Sequence, residues 1–281
     1  MRQASLPCGF APVCLCANRG QADSRRPVVG GRWSVVSGRL KGETVSGTSD
    51  RAVWVVNLGT EPYGPVHELQ RRLVAAKQAG WPQDVLLLLE HEPVYTLGRQ
   101  SQAEDILVPA EFLAEQGIPL VPVERGGKVT YHGPGQIVGY PILDLRGYRT
   151  EVKWFYRQLA DVIIRTLADF DVVGTYDDSF PGVWVGGKKI CAFGTAISRW
   201  ITYHGWALNI EPDMAHWGWI VPCGLRDKEV TSLRAELGIA PPGDDIRAGL
   251  TRHFGAVFGR RMVEREIGDV ERGAWSVGRR A

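Results

Sequence analysis

The sequence predicts a single domain of the mixed α/β class, in which a partly antiparallel sheet is flanked by helices. The apolar run at residues 85–89 is typical of a buried central strand. Residues 151–170 repeat apolar side chains at helical spacing, which predicts a long helix packed on the sheet. Residues 183–193 predict a hairpin, because Gly186 and Gly187 supply the positive φ angles of a two-residue turn.

The other elements follow in chain order. Residues 52–56 predict a buried strand at the start of the domain, and residues 66–79 predict a helix that ends at Gly80. A last helix is predicted over residues 244–257, with the two aspartates at its start as the cap. Hydrophobic residues make up 44% of the chain and charged residues 23%, so there is enough apolar material for one large core.

The chain divides into an extension, a domain and a tail. Residues 1–50 mix glycine, serine, arginine and scattered cysteine without periodicity, so we expect a disordered N-terminal extension. It is interpreted as a flexible tail, as an organellar transit peptide, or as a start assigned upstream of the true one, and the first and last are favoured. We expect the domain at residues 51–258 and a charged C-terminal tail at residues 259–281.

Charge, hydropathy and cysteine content exclude several classes of protein. The 281 residues carry 33 Lys and Arg against 31 Asp and Glu, so the overall charge does not indicate a nucleic-acid partner. The longest apolar runs are far shorter than the ~20 residues of a membrane helix. Five cysteines with no CxxC pair indicate free thiols in a reducing compartment, and the cytoplasm is the expected location.

One segment concentrates glycines and polar side chains between two apolar runs. It is ERGGKVTYHGPGQ, residues 124–136. Glycine lets the backbone approach a ligand closely, while Arg125 and His132 can project into a pocket. A plain glycine-rich connection has the same composition, so the residues alone support both interpretations equally.

The candidate nucleophile is Cys223, which lies between Pro222 and Gly224 outside any periodic segment. A buried structural cysteine explains the same residues at least as well. A nearby cation makes a thiol nucleophilic by stabilising the thiolate. Lys189 is the expected partner, because alternation along a strand turns it and Lys188 to opposite faces of the sheet.

His204 is a second candidate partner for Cys223, as in a papain-like dyad, and is at least as often a structural histidine. We expect no metal site, because Cys191, His204 and Cys223 lack the paired short spacings of zinc sites and no HExxH occurs. No GxxxxGK(S/T) loop occurs either, so a P-loop ATPase is not supported.

Five motifs in order closely resemble the octanoyltransferases of lipoate biosynthesis. They are LEHEPVYTLGRQS (89–101), RGGKVTYHGPGQIVGYPILDL (125–145), GGKKICAFG (186–194), TYHGWALNI (202–210) and VPCGLRDKEVTSL (221–233). The resemblance covers roughly residues 52–240. It implies the biotin/lipoate protein ligase-like fold, with a mixed sheet flanked by helices around a tunnel for an acyl chain, and no cofactor.

The resemblance also implies a reaction and its residues. Cys223 takes an octanoyl group as a thioester and passes it to a lysine, while Lys189 lowers the pKa of Cys223 and transfers protons. The substrate-lining segments of the family carry over to Arg125, Gly126, Gly127, Lys128, Val129, Thr130, Tyr131, His132, Ala192, Phe193, Gly194, Gly205, Trp206 and Ala207.

The implied partners are proteins. The donor is octanoyl-acyl carrier protein, and the acceptors are lipoyl domains of 2-oxoacid dehydrogenase E2 subunits and the glycine cleavage H protein. No nucleic acid or membrane is implied, and we expect a monomer. Because these partners are generally acidic, we expect basic docking contacts at Arg199, Arg226 and Lys228, which are close in sequence to the site motifs.

Two residues depart from the family pattern. Cys191 is expected to be a small buried hydrophobe, and the bulk of Trp206 is expected to shorten the acyl tunnel and shift chain-length preference. Candidate tunnel residues, which core packing explains equally well, are Tyr95, Val129, Ile142 and Phe193.

Three alternatives to octanoyl transfer stay open. The first is an ATP-dependent lipoate or biotin ligase on the same fold, which the transferase-type loop RGGKVTYHGPGQ disfavours. The second is a non-catalytic acyl- or lipoyl-domain-binding protein, against which the presence of both Cys223 and Lys189 argues. The third is a thiol hydrolase using Cys223 and His204, which would release free octanoate without an acceptor.

Overall fold

The computed structural model describes residues 52–221 and 229–277. The extension predicted over residues 1–50 lies outside the described residues. The same is true of Cys223, Arg226 and Lys228. None of the helices in the described ranges combines the length and the apolar character needed to cross a bilayer.

The described residues form eleven strands, six α-helices and three short 3₁₀ helices. The strands are β1 (Ala52–Glu61), β2 (Asp84–His91), β3 (Val94–Leu97), β4 (Leu120–Pro122), β5 (Val129–His132), β6 (Gln136–Ile142), β7 (Thr175–Tyr176), β8 (Gly182–Val185), β9 (Lys188–Ser198), β10 (Ile201–Asn209) and β11 (Arg261–Glu264). The helices are α1 (Tyr63–Gln78), α2 (Ala110–Glu115), α3 (Val152–Ala168), α4 (Leu233–Leu237), α5 (Gly243–Phe258) and α6 (Ile267–Trp275).

Two sheets organise these strands. The large sheet has eight strands in the order β11-β1-β2-β6-β10-β9-β8-β7, and the small sheet has the order β4-β3-β5. In the large sheet β1 pairs in parallel with β2 and β11, while the other neighbours are antiparallel. The sheet is therefore mixed, as predicted.

Strand β2 is buried on both faces, which explains its continuous apolar run. Leu86 and Leu88 belong to a core shared with α3 and α5, while Leu87 and Leu89 belong to a second core shared with α1 and α6. Alternate side chains of a strand point to opposite faces, so helices cover the large sheet on both sides.

The predicted helices and the predicted hairpin are confirmed. Strands β8 and β9 are joined by Gly186 and Gly187, with φ angles of 56° and 85°. The helices expected at residues 66–79 and 151–170 are α1 and α3. Helix α5 starts slightly earlier than predicted, because Pro242 and not an aspartate is its N-cap residue.

The segment after residue 258, expected to be a charged tail, folds as part of the domain. Strand β11 pairs with β1 at the edge of the large sheet. Helix α6 buries Val270 and Ala274 in the core that also contains α1. This segment has few apolar residues among many charged ones, so its sequence shows little periodicity. The predicted end of the domain at residue 258 is therefore too early.

A glycine makes room for Trp206 within the large sheet. In the register of β6 and β10, Trp206 lies opposite Gly139. A Cβ atom at Gly139 would collide with the indole ring. The ring is buried and also contacts Phe254 of α5, with ring centroids 6.2 Å apart. The indole therefore occupies space that any side chain at residue 139 would need.

We expect Gly139→Ala to lower the free energy of unfolding by about 1–3 kcal/mol, because the new methyl group overpacks against Trp206. Gly64→Ala is the matched control, since Gly64 is an exposed glycine of α1 with open space at its Cβ position. Alanine there should leave stability unchanged or raise it. Urea unfolding followed by circular dichroism measures both values, and an unchanged Gly139→Ala stability would contradict this packing.

Candidate active site

A cavity that is partly open to solvent lies between strands β9 and β10 of the large sheet and strand β5 of the small sheet. Most of its lining belongs to the predicted substrate-binding set. Those residues are Arg125, Gly127, Lys128, Val129, Thr130, His132, Ala192, Phe193, Gly194, Gly205, Trp206 and Ala207. Three further lining residues are Tyr63, Tyr140 and His204.

The other two predicted substrate-binding residues, Gly126 and Tyr131, do not line the cavity. The Gly126 amide donates to the Thr195 carbonyl at 3.0 Å and so ties the loop to β9. Alternation along β5 turns Tyr131 away from its strand neighbours, into the core of the small sheet. There its hydroxyl lies 2.6 Å from His216 Nδ1.

Two of the four candidate tunnel residues line the cavity, and two do not. Val129 and Phe193 are in its wall. Tyr95 is buried in the core of the small sheet, where its hydroxyl donates to the His216 carbonyl at 2.6 Å. Ile142 is buried in the core beside α1 and α6. Of the two explanations left open for these residues, core packing accounts for Tyr95 and Ile142.

Arg125 anchors the glycine-rich loop. Its guanidinium donates to the Thr96 carbonyl at 2.7 Å and to the Thr96 hydroxyl at 2.8 Å. The side chain passes between two glycines, because a Cβ at Gly98 would lie 2.8 Å from its Nη1 and one at Gly194 would lie 2.9 Å from its Cδ. Larger residues at either position would displace Arg125 and with it the loop.

Five buried rings pack against one another beside the cavity. They belong to Tyr63, His91, His132, Tyr140 and His204. The rings of Tyr63 and His132 are stacked, with planes 14° apart and centroids 6.0 Å apart. All of them except His91 line the cavity, so one of its walls is made of polar rings.

Hydrogen bonds and burial keep these histidines neutral. The Glu61 carbonyl can only accept, so His91 Nδ1 carries a proton and donates to it at 2.9 Å. His91 Nε2 then accepts from the Tyr140 hydroxyl at 2.8 Å. Burial lowers the pKa of His91 to about 4 and holds the pKa of His132 well below its usual range.

Lys189 is buried at the start of β9, as predicted. Its side chain is 7% exposed, with Nζ 3.4 Å from the Pro181 carbonyl oxygen and 4.7 Å from the ring centroid of Trp184. Lys188 is exposed and pairs with Glu229 at 3.2 Å. The expected alternation of the two lysines is confirmed.

Cys223 lies outside the described residues, so neither its distance to Lys189 nor its distance to His204 is defined. The chain on either side of it is hydrogen bonded. The Val221 amide donates to the Asp105 carbonyl at 2.8 Å, and the Lys189 amide donates to the Glu229 carbonyl at 2.8 Å. The described chain thus ends beside Asp105 and resumes beside Lys189.

The expectation that Cys191 is a buried hydrophobe is confirmed. Its side chain is fully buried on β9, and burial raises the pKa of its thiol. A protonated thiol without access to substrate is a poor nucleophile.

Arg199, the one expected docking contact among the described residues, does not lie beside Lys189. It is in the turn between β9 and β10, at the far end of the hairpin. Ten residues of extended strand separate it from Lys189, which corresponds to roughly 30 Å. Arg199 is close in sequence to the motif at residues 202–210, but it is far from Lys189 in the structure.

Sequence reasoning missed the contributions of Tyr63 and Tyr140 to the cavity. Tyr63 begins α1 and Tyr140 lies within β6, outside the segments that were carried over as substrate-lining. Only the folded arrangement of α1 and β6 beside β5 and β10 brings these rings together. The sequence carried a signal for their burial but none for their place at the cavity.

We expect the free energy of unfolding to fall as the pH is lowered from about 6.5 to about 4. His91 in the unfolded chain binds a proton near its ordinary pKa, whereas in the folded protein it does so only near pH 4. The unfolded state is therefore favoured by up to about 1.4 kcal/mol per pH unit in this window. Above it both states are neutral and this contribution to stability is complete.

Urea unfolding of wild type and His91→Gln across this pH range checks the expectation. The variant, which has no imidazole at this position, should show a weaker pH dependence than wild type. The same pH dependence in both proteins would contradict a neutral His91 in the folded state.

Residues 62–255 match the family model of the lipoyl protein ligase A/B catalytic domain. The octanoyltransferase of Gloeobacter violaceus is 52% identical over 219 residues, which cover 77% of this chain and 94% of that protein. The octanoyltransferase of Solibacter usitatus is 45% identical over 206 residues, which cover 73% of this chain and 93% of that protein.

Solved structures share the fold at low identity. A bi-partite lipoate protein ligase from Thermoplasma acidophilum has a TM-score of 0.62 at 16% identity, covering 82% of this chain and 91% of that one. Lipoate-protein ligase A bound with ATP has a TM-score of 0.59 at 16% identity, covering 83% and 94%. This likeness confirms the predicted lipoate ligase-like fold. The family model and the identity to its relatives over most of their length show that the chain belongs to the octanoyltransferase family of acyltransferases.

Proposed function

We propose that this chain transfers an octanoyl group from octanoyl-acyl carrier protein, through a thioester on Cys223, to a lysine of a lipoyl domain. The observation that carries the proposal is the cavity. Three separate sequence segments, at residues 125–132, 192–194 and 205–207, contribute to its wall. One of them lies on the strand that begins with the two lysines and buries Lys189.

In the first step the Cys223 thiolate attacks the carbonyl carbon of the donor thioester. A new carbon–sulfur bond forms, the old one breaks, and the sulfur of the acyl carrier protein leaves as a thiol after taking a proton from the Lys189 ammonium, which leaves Lys189 as a neutral amine. The ammonium of Lys189 favours the thiolate form of Cys223 electrostatically. One thioester replaces another, so the step requires no ATP.

In the second step the neutral amine of the acceptor lysine attacks the enzyme thioester. A carbon–nitrogen bond forms and the carbon–sulfur bond to Cys223 breaks, so that an amide and a free thiolate result. The attacking nitrogen must lose a proton, and a neutral Lys189 amine can accept it. An amide is more stable than a thioester, which makes the transfer favourable.

The cavity suits an acyl chain attached to a reacting carbonyl group. Val129, Phe193 and Trp206 supply apolar surface for the chain. Backbone amides of the glycine-rich loop are the candidates for stabilising the oxyanion that forms at the carbonyl. The buried histidines nearby are neutral, so they add no charge that would favour an ionised ligand.

The acceptors that fit this reaction are lipoyl domains, of the kind carried by 2-oxoacid dehydrogenase E2 subunits and by the glycine cleavage H protein. Support comes from the relatives named octanoyltransferase and from the similar fold of a lipoate protein ligase that is described together with its E2 lipoyl domain as a lipoylation system. An acyl carrier protein is the matching donor.

Intact-protein mass spectrometry after mixing the full-length chain with octanoyl-acyl carrier protein, without ATP, tests the proposal. Wild type should gain one octanoyl group, about 126 Da, and lose it when an apo lipoyl domain is added. Cys223→Ala should gain none. Cys191→Ala is the matched control and should still be acylated, because the Cys191 thiol is buried.

The neighbouring lysines provide a second matched pair. Lys189→Ala should slow acylation by roughly 100-fold or more, whereas Lys188→Ala, which changes an exposed side chain, should not. If no adduct forms without ATP, but the lipoyl domain is modified when ATP and free octanoate are supplied, the chain is a ligase and not a transferase. Octanoate release without an acceptor would indicate a hydrolase.

A second prediction concerns the length of the acyl chain. Trp206→Leu should raise kcat/KM for decanoyl relative to octanoyl donors, by roughly tenfold, because a smaller side chain extends the cavity. Phe254→Leu is the control, since Phe254 contacts the Trp206 ring from α5 but does not line the cavity. An unchanged ratio in Trp206→Leu would show that Trp206 does not limit chain length.

A further inference from the structure

We propose that His67, Glu124 and His204 form a binding site for one divalent transition-metal ion, with zinc as the best fit. The residues come from α1, from the loop between β4 and β5, and from β10. Their ligand atoms all lie within 4.8 Å of one another. The site does not depend on the acyl transfer described above.

The spacing of the three side chains suits shared coordination. The ring centroids of His67 and His204 are 5.3 Å apart. Two imidazoles that share a tetrahedral zinc ion at ~2.1 Å place their centroids roughly 5 Å apart. Glu124 Oε2 lies 3.0 Å from His67 Nε2, close to the separation of roughly 3.4 Å between two ligands of one tetrahedral ion. His67 and Glu124 are partly exposed, so small side-chain movements can complete the site.

His204 gives an independent reason for a ligand at this place. It is 1% exposed, and its Nε2 has no hydrogen-bond partner among residues 52–221 and 229–277. Buried polar atoms are rarely left without a partner. Its other ring nitrogen, Nδ1, lies 3.5 Å from the Tyr63 hydroxyl. Metal-bound histidines commonly hold their second nitrogen against such an acceptor, which leaves Nε2 for the ion.

The backbone at His204 is held in an uncommon conformation. Its φ angle is 54°, in the left-handed region that few residues other than glycine adopt. Its amide donates to Gln70 Oε1 of α1 at 2.7 Å, and its ring contacts the ring of His67 on the same helix. Strained backbone of this kind is concentrated at functional sites.

The ligand set determines which ion fits. Two imidazole nitrogens and one carboxylate oxygen suit zinc and leave a fourth position free, whereas magnesium and calcium prefer oxygen ligands. Glu124 supplies one negative charge. Arg99 and Arg125 add positive potential at His204, so we expect an ion that a strong chelator can remove. Because His204 lines the cavity, the ion would lie at its wall.

The test uses the full-length chain, stripped with EDTA and titrated with Zn²⁺ in competition with a fluorescent chelator. His67→Ala and Glu124→Ala should each lose one bound ion, with affinity at least ~100-fold lower, because losing a ligand costs more than losing an outer partner. His253→Ala is the matched control. His253 pairs with Asp169 at 2.8 Å much as His67 pairs with Glu124, and this variant should keep the ion.

Two further measurements separate this site from thiol sites. Cys223→Ala should keep the ion, and its Co²⁺ form should show d–d absorption without a thiolate charge-transfer band. A hundredfold excess of Zn²⁺ over its Kd should raise the Tm of wild type by roughly 5–10 °C. The same excess of Zn²⁺ should not raise the Tm of His67→Ala. In EDTA, wild type and His67→Ala should have the same Tm.

Three results would overturn the proposal. Wild type could bind no zinc, or could bind it as tightly as His67→Ala and Glu124→Ala do. Alternatively, Cys223→Ala could lose the ion that wild type binds, which would assign it to a site built on that thiol.

Discussion

The buried guanidinium of Arg125 is the constraint on which the cavity depends. It is bonded to Thr96 in the small sheet, while the amide of the next residue, Gly126, is bonded to Thr195 in the large sheet. An arginine stays charged, and burying its charge is costly unless its donors are satisfied. Carbonyl and hydroxyl oxygens of Thr96 must therefore stay in place around it. The glycine-rich loop is held at two points, one on each sheet, and the space between them is the cavity.

The second constraint is that the ring side chains lining the cavity, those of Tyr63, His132, Tyr140 and His204, are themselves uncharged near neutral pH. Burial lowers the pKa of His204 to about 3 and raises the pKa values of Tyr63 and Tyr140. A histidine with so low a pKa is a weak base, which argues against a dyad of Cys223 with His204. Proton transfer in the proposed reaction then falls to Lys189. The rings instead act as fixed hydrogen-bonding groups, and His91, bonded to Tyr140, shows how firmly they are oriented.

The sequence predicted those features that depend on local spacing. Helix α3, the β8–β9 hairpin and the opposite directions of Lys188 and Lys189 follow from periodicity and turn chemistry, and all are present. Family motifs added most of the cavity wall. The motif-based prediction is wrong for Tyr131. It assigned every residue of a continuous motif to the cavity wall, whereas successive side chains of a strand point to opposite faces of the sheet. Features built by residues far apart in sequence could not be predicted. They include the cavity wall formed by the buried tyrosine and histidine rings. They also include the contact of His67 with Glu124, because no motif contains both residues.

The large side chain of Trp206 on β10 affects the packing of the neighbouring strand β6 as well as the shape of the cavity. It lines the cavity, yet its ring also covers Gly139 and contacts Phe254 in the core. Its neighbour Gly205 lies so close to β6 that a Cβ there would collide with the Gly139 carbonyl. At Gly139 and Gly205, strands β6 and β10 are therefore in contact through their backbones and the indole ring. Part of the bulk of Trp206 is thus accommodated inside the sheet, and only the remainder faces the cavity. A bulky residue at a substrate-lining position is compatible with an octanoyl chain because the neighbouring strand provides the space for it.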